Sequence, residues 1–237
     1  MTTPPLLRVA GLTKRYGEQF ALAEVGFGLA AGEVLGLIGP NGAGKTTVLE
    51  CLAGLLPADA GEVRWAGAEL PPGRRKAALF YLPDGIAPDA EQPVAEVLSF
   101  FGAAWRLPGA HPAEVVEALA LGPVLAKPVG ALSKGYRRRL LLALGLLAPQ
   151  PLLAMDEPFD GLDLRQTREV MALLRRVAGA GRALLLSIHQ LADAERVCDR
   201  FVLLAAGRVR GKGTLPELRA VAGLPAGGLE EAFLALA

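Results

Sequence analysis

Little in this chain serves disulfide, soft-metal or charge-driven chemistry. Its two cysteines, Cys51 and Cys198, form neither a disulfide framework nor a zinc-ligand spacing, which points to a reducing cytosol. Net charge is +1, from 25 basic and 24 acidic residues, so no overall field recommends nucleic acid, and no nucleic-acid partner is expected. No apolar run reaches bilayer length. The greasiest, LLLALGLLAPQPLLAM, is cut by Pro149 and Pro151, leaving about ten apolar residues where a span needs about twenty. The amino-terminal MTTPPLLRVAGL has neither a basic leader nor a signal-length apolar core, and the chain is expected to start and stay in the cytosol. There is no internal repeat. Asparagine occurs once, as Asn41, and arginine outnumbers lysine 19 to 6, which fits a thermophile or a codon bias equally.

What the chain does have is apolar residues: 52% are hydrophobic and mean hydropathy is +0.36, enough for a well-packed α/β core. Short apolar runs alternate with helical patterns, the signature of a sheet flanked by helices. The runs are EVLGLIG (33–39), KAALFYL (76–82), PLLAMD (151–156), ALLLSIH (183–189) and RFVLLAA (200–206). The clearest helix runs over 163–178, with Val170, Leu173, Leu174 and Val177 on one stripe, Asp163 near its N-cap and DLRQ resembling a capping box. From Gly85 to Ala148 the texture is helical without a convincing strand, which reads as an insertion into the core. Residues 216–237 read as a packed tail.

Two segments carry phosphate chemistry. GPNGAGKT, Gly39 to Thr46, fits G-x-x-x-x-G-K-[ST] and lies between an apolar run and the helix-like TTVLECLAGLL. There the backbone of Gly39, Asn41, Gly42, Ala43 and Gly44 can converge N–H groups on a β-phosphate. Lys45 brings a point charge to the β and γ oxygens, the Thr46 hydroxyl can ligate magnesium, and Thr47 is placed for the α-phosphate. The bland alternative, a glycine-rich turn with an exposed lysine, does not explain the strand-loop-helix setting. LLAMDEP brings Asp156 to the end of a buried strand, where it can hold magnesium through water, and next to it Glu157 can orient or deprotonate an attacking water. His189 ends the run ALLLSI and belongs on the same sheet edge. It reads either as a contact to the γ-phosphate or as a structural histidine. His111, in AHPAE, reads as an exposed residue before a helix.

LSKGY, Leu132 to Tyr136, poses a question, because it is a second anion-facing turn in a chain that already has a phosphate loop. Ser133 and Gly135 open a helix whose N-terminus carries partial positive charge, and a plain N-cap role for Ser133 is compatible with that. GPNGAGKTT, LSKGY, LLAMDEP with FDGLD, and LSIHQ together resemble, in order and over nearly the whole chain, the successive motifs of ATP-binding cassette (ABC) ATPases, the nucleotide-binding subunits of ABC transporters. The resemblance implies a P-loop core of mostly parallel sheet flanked by helices, with an N-terminal antiparallel β subdomain and a helical insertion. It implies one domain over 1–237, with 1–84 and 149–215 as nucleotide-binding core, 85–148 as the helical part and 216–237 as tail.

For function it implies ATP and Mg2+ as cofactors and hydrolysis coupled to transport. It implies a second cassette, as homo- or heterodimer, whose phosphate loop faces Ser133 and Gly135 in trans, with FDGLD along the interface. It also implies a separate transmembrane permease subunit, which places the chain on the inner face of the cell membrane. Tyr16, in KRYG, corresponds to the family's adenine-stacking aromatic. Asp84, in YLPDGIAPD, stands where the family places a glutamine or glutamate, and is assigned to the magnesium site, although P-D-G is also a turn signal. LSKGY departs from the family pattern at Lys134 and Tyr136, and Lys134 would add attraction to phosphate. Phe100, Phe101 and Trp105 offer apolar anchors for a partner or ordinary core packing. The exporter class is favoured by resemblance. A soluble single-cassette ATPase acting in assembly or repair is the alternative, and a P-loop kinase or GTPase-like switch leaves LSKGY and His189 unexplained.

Overall fold

The computed structural model describes residues 5–107 and 110–236. From the amino end run β1 (Leu7–Tyr16), β2 (Gln19–Leu29), β3 (Val34–Ile38), α1 (Lys45–Ala53), β4 (Ala60–Trp65), β5 (Ala68–Glu69), α2 (Arg75–Ala78) and β6 (Leu79–Leu82). Helices α3 (Val94–Ala104), α4 (Ala110–Ala118) and α5 (Lys134–Leu147) follow. Then come β7 (Leu152–Asp156), α6 (Leu164–Gly179), β8 (Ala183–Ile188), α7 (Leu191–Val197), β9 (Arg200–Ala205), β10 (Arg208–Gly213), α8 (Leu215–Ala222) and α9 (Leu229–Leu236).

Burial on both faces decides which strands lie central and parallel. Every residue of β3, β7 and β8 is buried, and these continuous aliphatic runs form the middle of a sheet ordered β10-β9-β3-β8-β7-β6. All its pairings are parallel except β9 with β10. That last strand puts Arg208, Arg210 and Lys212 at the sheet edge, where cations oppose pairing with another chain. The second sheet, β2-β1-β4-β5, is antiparallel, and β1 buries residues on one face only.

Alternation along the central strands sends successive side chains into two cores. Leu153, Met155, Leu184 and Leu186 join α5 and α6 on one face, while Leu35, Leu37, Leu152 and Leu185 join α1 and the antiparallel sheet on the other. The segment 76–82 is a strand only from Leu79, because Lys76 to Ala78 complete α2. Among the described residues, the stretch between β6 and β7 holds helices and one isolated bridge, Pro93 to Pro128. Asp163 caps α6 with the capping box that DLRQ announces: its carboxylate accepts from the Gln166 N–H at 2.8 Å, and Gln166 Oε1 accepts from the Asp163 N–H at 3.4 Å. Of the three aromatic anchor candidates, Trp105 packs edge-on to Phe80 with centroids 6.2 Å apart, Phe101 lies against the core and Phe100 alone is exposed.

The carboxyl end of α5 has no capping glycine, and a cation from another element serves it. Arg182 donates to the carbonyls of Gly145 at 3.1 Å, Leu146 at 3.3 Å and Gln150 at 3.0 Å, which also answers the negative end of the helix dipole. Burial pushes its pKa down to about 10, so it stays charged at neutral pH. Replacing Arg182 with Leu leaves these acceptors unmet and is expected to cost on the order of 2 kcal/mol. Urea denaturation with an unchanged m-value and a lowered midpoint is the check; an unshifted midpoint refutes this role.

Candidate phosphate-binding active site

Parallel β3, β6, β7 and β8 end at the same edge of the sheet, and each delivers a functional residue there: the phosphate loop, Asp84, Asp156 with Glu157, and His189. This is the side on which ligands of open α/β sheets bind. The loop needs glycine at its root: a Cβ on Gly39 would lie 2.2 Å from the Leu204 carbonyl oxygen, so no side chain fits between β3 and β9. Gly44, at φ +102°, caps α1 without a side-chain hydrogen bond, which leaves first-turn N–H groups to serve an anion. Ala43 differs from its neighbours, since its N–H donates to the Pro40 carbonyl at 3.1 Å.

A cavity of about 300 Å³ gathers most of the expected residues. Asn41, Gly42 and Gly44 line it from the loop, Lys45, Thr46 and Thr47 from α1, and Asp84, Asp156 and Glu157 from the strand ends. Lys45 is buried, and its ammonium donates to the carbonyls of Gly39 at 2.7 Å and Pro40 at 3.2 Å. The Thr46 hydroxyl donates to Asp156 Oδ2 at 2.6 Å. That pair of hard oxygens suits magnesium, which takes few protein ligands and completes its shell with phosphate and water. Among the described residues no three or more His, Cys, Asp or Glu side chains are grouped so as to hold a metal by themselves.

Glu157 is held in an unusual backbone state. Its φ is +48°, a left-handed conformation costing on the order of 1 kcal/mol or more, and its N–H donates to the Ser187 carbonyl across to β8 at 3.1 Å. The turn aims the carboxylate between two nitrogens: Oε2 lies 2.6 Å from His189 Nδ1 and Oε1 lies 3.9 Å from Lys45 Nζ. The contact at Nδ1 orients the ring from that side. Behind the site, Tyr81 has a buried hydroxyl with no partner among the described residues; burial, with Asp156 nearby, pushes its pKa up.

Gly39, Ala43 and His189 adjoin lining residues without lining the cavity themselves, and three further expected residues lie away from it. Tyr16 ends β1, is 57% exposed as a residue and has the Lys14 ammonium 5.7 Å from its ring centroid. Ser133 is the N-cap of α5, accepting from the Tyr136 N–H at 3.4 Å, and Gly135 packs where a Cβ would meet Gln166 Oε1 at 2.9 Å. The LSKGY turn therefore leans on the loop after β7 and does not line this chain's own phosphate cavity. Lys134 pairs with Asp160 at 3.0 Å, so its charge is already answered within the chain. Asp84 lines the cavity but is also ion-paired with Arg138, a contact the sequence reading missed. The RRR run after LSKGY was the signal for it. The His111 side chain lies outside the described residues. Burial pushes the Cys51 thiol up to about 11 and raises that of Cys198 as well, so both stay protonated at neutral pH.

Comparison with known proteins fits this arrangement. A sequence model of the family described as "ABC transporter" matches residues 22–160. The Nod factor export ATP-binding protein I of Ralstonia nicotianae is 37% identical over 223 residues, covering 90% of this chain and 68% of that protein. The daunorubicin resistance ATP-binding protein DrrA3 of Streptomyces coeruleorubidus is 37% identical over 227 residues, covering 92% and 71%. A solved structure described as the ATP binding subunit of an ABC transporter superposes with a TM-score of 0.88 at 33% identity, over 98% of this chain and 99% of that one.

The Lys134 contact yields a titration test. The hydrogen bond from Lys134, helped by its charge and that of Arg138, holds the Asp160 carboxyl below the usual range. A depressed carboxyl stabilises the fold above its unfolded pKa of about 3.9, and that contribution is lost as pH falls through the folded value. Lys134→Met is expected to move the Asp160 midpoint up toward that ordinary value, read from side-chain carboxyl NMR shifts. A midpoint that stays put would assign the depression to other groups.

Proposed function

The chain belongs to the ABC transporter ATP-binding family, and from that premise we propose that it powers an exporter by closing, as a dimer, on two ATP molecules. It is an ATPase whose hydrolysis serves transport. The observation that carries the catalytic reading is the placement of Glu157, between Lys45 and His189 and beside the Thr46–Asp156 pair.

In this reading the loop N–H groups and Lys45 bind the β- and γ-phosphates, with the ammonium exchanging its loop carbonyls for phosphate oxygens. Thr47 meets the α-phosphate and Tyr16 stacks on the adenine. Thr46 and Asp156, with Asp84, would hold Mg2+, which supplies charge neutralisation to the phosphates. Glu157 accepts the proton of the attacking water, and His189 keeps that carboxylate oriented while lying within reach of the γ-phosphate.

Ser133 and Gly135, which do not reach this cavity, serve the ATP of a second cassette, and that cassette's equivalent turn serves this one. Residues 1–84 and 149–215 act as the nucleotide core, 85–148 as the helical unit that carries LSKGY, and 216–237 as a tail. Exposed Phe100 on α3 belongs to the face that meets a separate membrane subunit. Among the described residues no helix is long and apolar enough to cross a membrane, which supports a peripheral position on such a subunit. The names of the relatives, in Nod factor export and daunorubicin resistance, support the exporter class.

Glu157→Gln preserves size and hydrogen-bonding reach but removes the base. It is expected to retain ATP binding, lose at least about a hundredfold in turnover and accumulate as an ATP-bound dimer, measured by phosphate release and light scattering. Hydrolysis at the parental rate would take the catalytic role from Glu157.

A further inference from the structure

The phosphate cavity is lined by three carboxylates, of Asp84, Asp156 and Glu157, against the single ammonium of Lys45. A polyphosphate entering that cavity meets net repulsion unless a carboxylate is answered from elsewhere. Asp84 is answered from α5. Arg138, only 6% exposed, directs Nη2 to Asp84 Oδ1 and donates from Nε to the backbone carbonyl of Asp160 at 3.1 Å.

The same Nη2 stands 3.9 Å from Asp160 Oδ2, and Nη1 is buried without a partner among the described residues. Lys134, one turn earlier on the same face of α5, holds Asp160 at 3.0 Å. The result is a charge chain, Asp84–Arg138–Asp160–Lys134, that links the loop after β6, the first turns of α5 and the loop after β7. Its middle member has unused donor capacity and a second carboxylate just beyond full contact.

Resting on the functional reading above, we propose that Arg138 is a positioning residue that holds Asp84 back from service as a magnesium ligand until nucleotide loads, and then passes its charge to Asp160. A buried guanidinium deprived of its carboxylate is costly, so release of Asp84 demands a replacement, and Asp160 is the one within reach. Because Arg138 and Lys134 share one helical face with the Ser133–Gly135 turn at its head, the exchange carries the loading state of the cavity to the segment that meets a second cassette. Asp84 and Arg138, 54 positions apart in sequence, are thereby joined by one contact between the pocket rim and the turn-bearing helix.

Opposite shifts in magnesium requirement test this. The parent chain, Arg138→Gln, Asp84→Asn and the double variant are compared by the magnesium concentration that half-saturates binding of a fluorescent ATP analogue, with phosphate release measured in parallel. Freeing Asp84 in Arg138→Gln is expected to lower that concentration about three- to tenfold while kcat falls. Removing the acid in Asp84→Asn raises it by a similar factor, and adding Arg138→Gln to Asp84→Asn changes nothing further. Arg138→Lys should show the same sign with a smaller shift, and carries the test if Arg138→Gln does not fold.

Shifts of the same sign in the two single variants, an unmoved requirement in Arg138→Gln, or an equal effect of Arg138→Gln with and without Asp84 would each overturn the proposal. A parent chain that binds no ATP with magnesium present removes the functional reading itself, and this inference with it.

Discussion

Negative charge packed against negative charge is the constraint around which this structure is arranged. A parallel sheet brings its strands out at one edge, so acidic residues at their ends converge on the place where a phosphate loop also points. Such a cavity tolerates a polyphosphate only if every carboxylate has an assigned cation or donor. Lys45 and His189 flank Glu157, the Thr46 hydroxyl meets Asp156, and Arg138 takes Asp84. The positive φ of Glu157 is part of the same arrangement, because that backbone turn goes with a carboxylate set against the two nitrogens.

Local features of the chain were readable where spacing alone determines geometry. The phosphate loop, the buried strand before Asp156 and the capping box at Asp163 each depend on residues within a few positions of one another, and each stands where its pattern places it. The antiparallel sheet entered only through family resemblance. Its register breaks between Val9 and Leu12 and again around Lys14, which blurs the two-residue alternation that announces a strand. Lys76 to Ala78 looked like strand because alanine and a following aliphatic run carry no period, and α2 occupies them instead. Arg138 escaped notice for another reason. Its partner, Asp84, lies 54 residues away, and a run of three arginines on a helix reads first as a solvated face.

What the cavity lacks is as informative as what lines it. Ser133 and Gly135 sit at the head of α5 against Gln166 and the loop after β7, outside the cavity of their own chain. A positively poled helix start with a small-residue turn, placed away from the only phosphate loop in the sequence, makes sense as half of a site completed by another copy or a paralogue. On this account hydrolysis and association are one event: the γ-phosphate is gripped from both sides or not turned over at all.

Complementation between two defective chains measures that claim directly. Lys45→Ala spoils only the phosphate loop and Ser133→Arg only the opposing turn, so each protein alone has no complete site. In an equimolar mixture the account predicts that ATP hydrolysis returns to roughly a quarter of the parental rate, since half of the dimers are mixed and each of these keeps one intact composite site. Where the parent chain hydrolyses ATP as a dimer of itself, a mixture as inactive as its two components would contradict it, and would mean that the turn at Ser133 acts within its own chain.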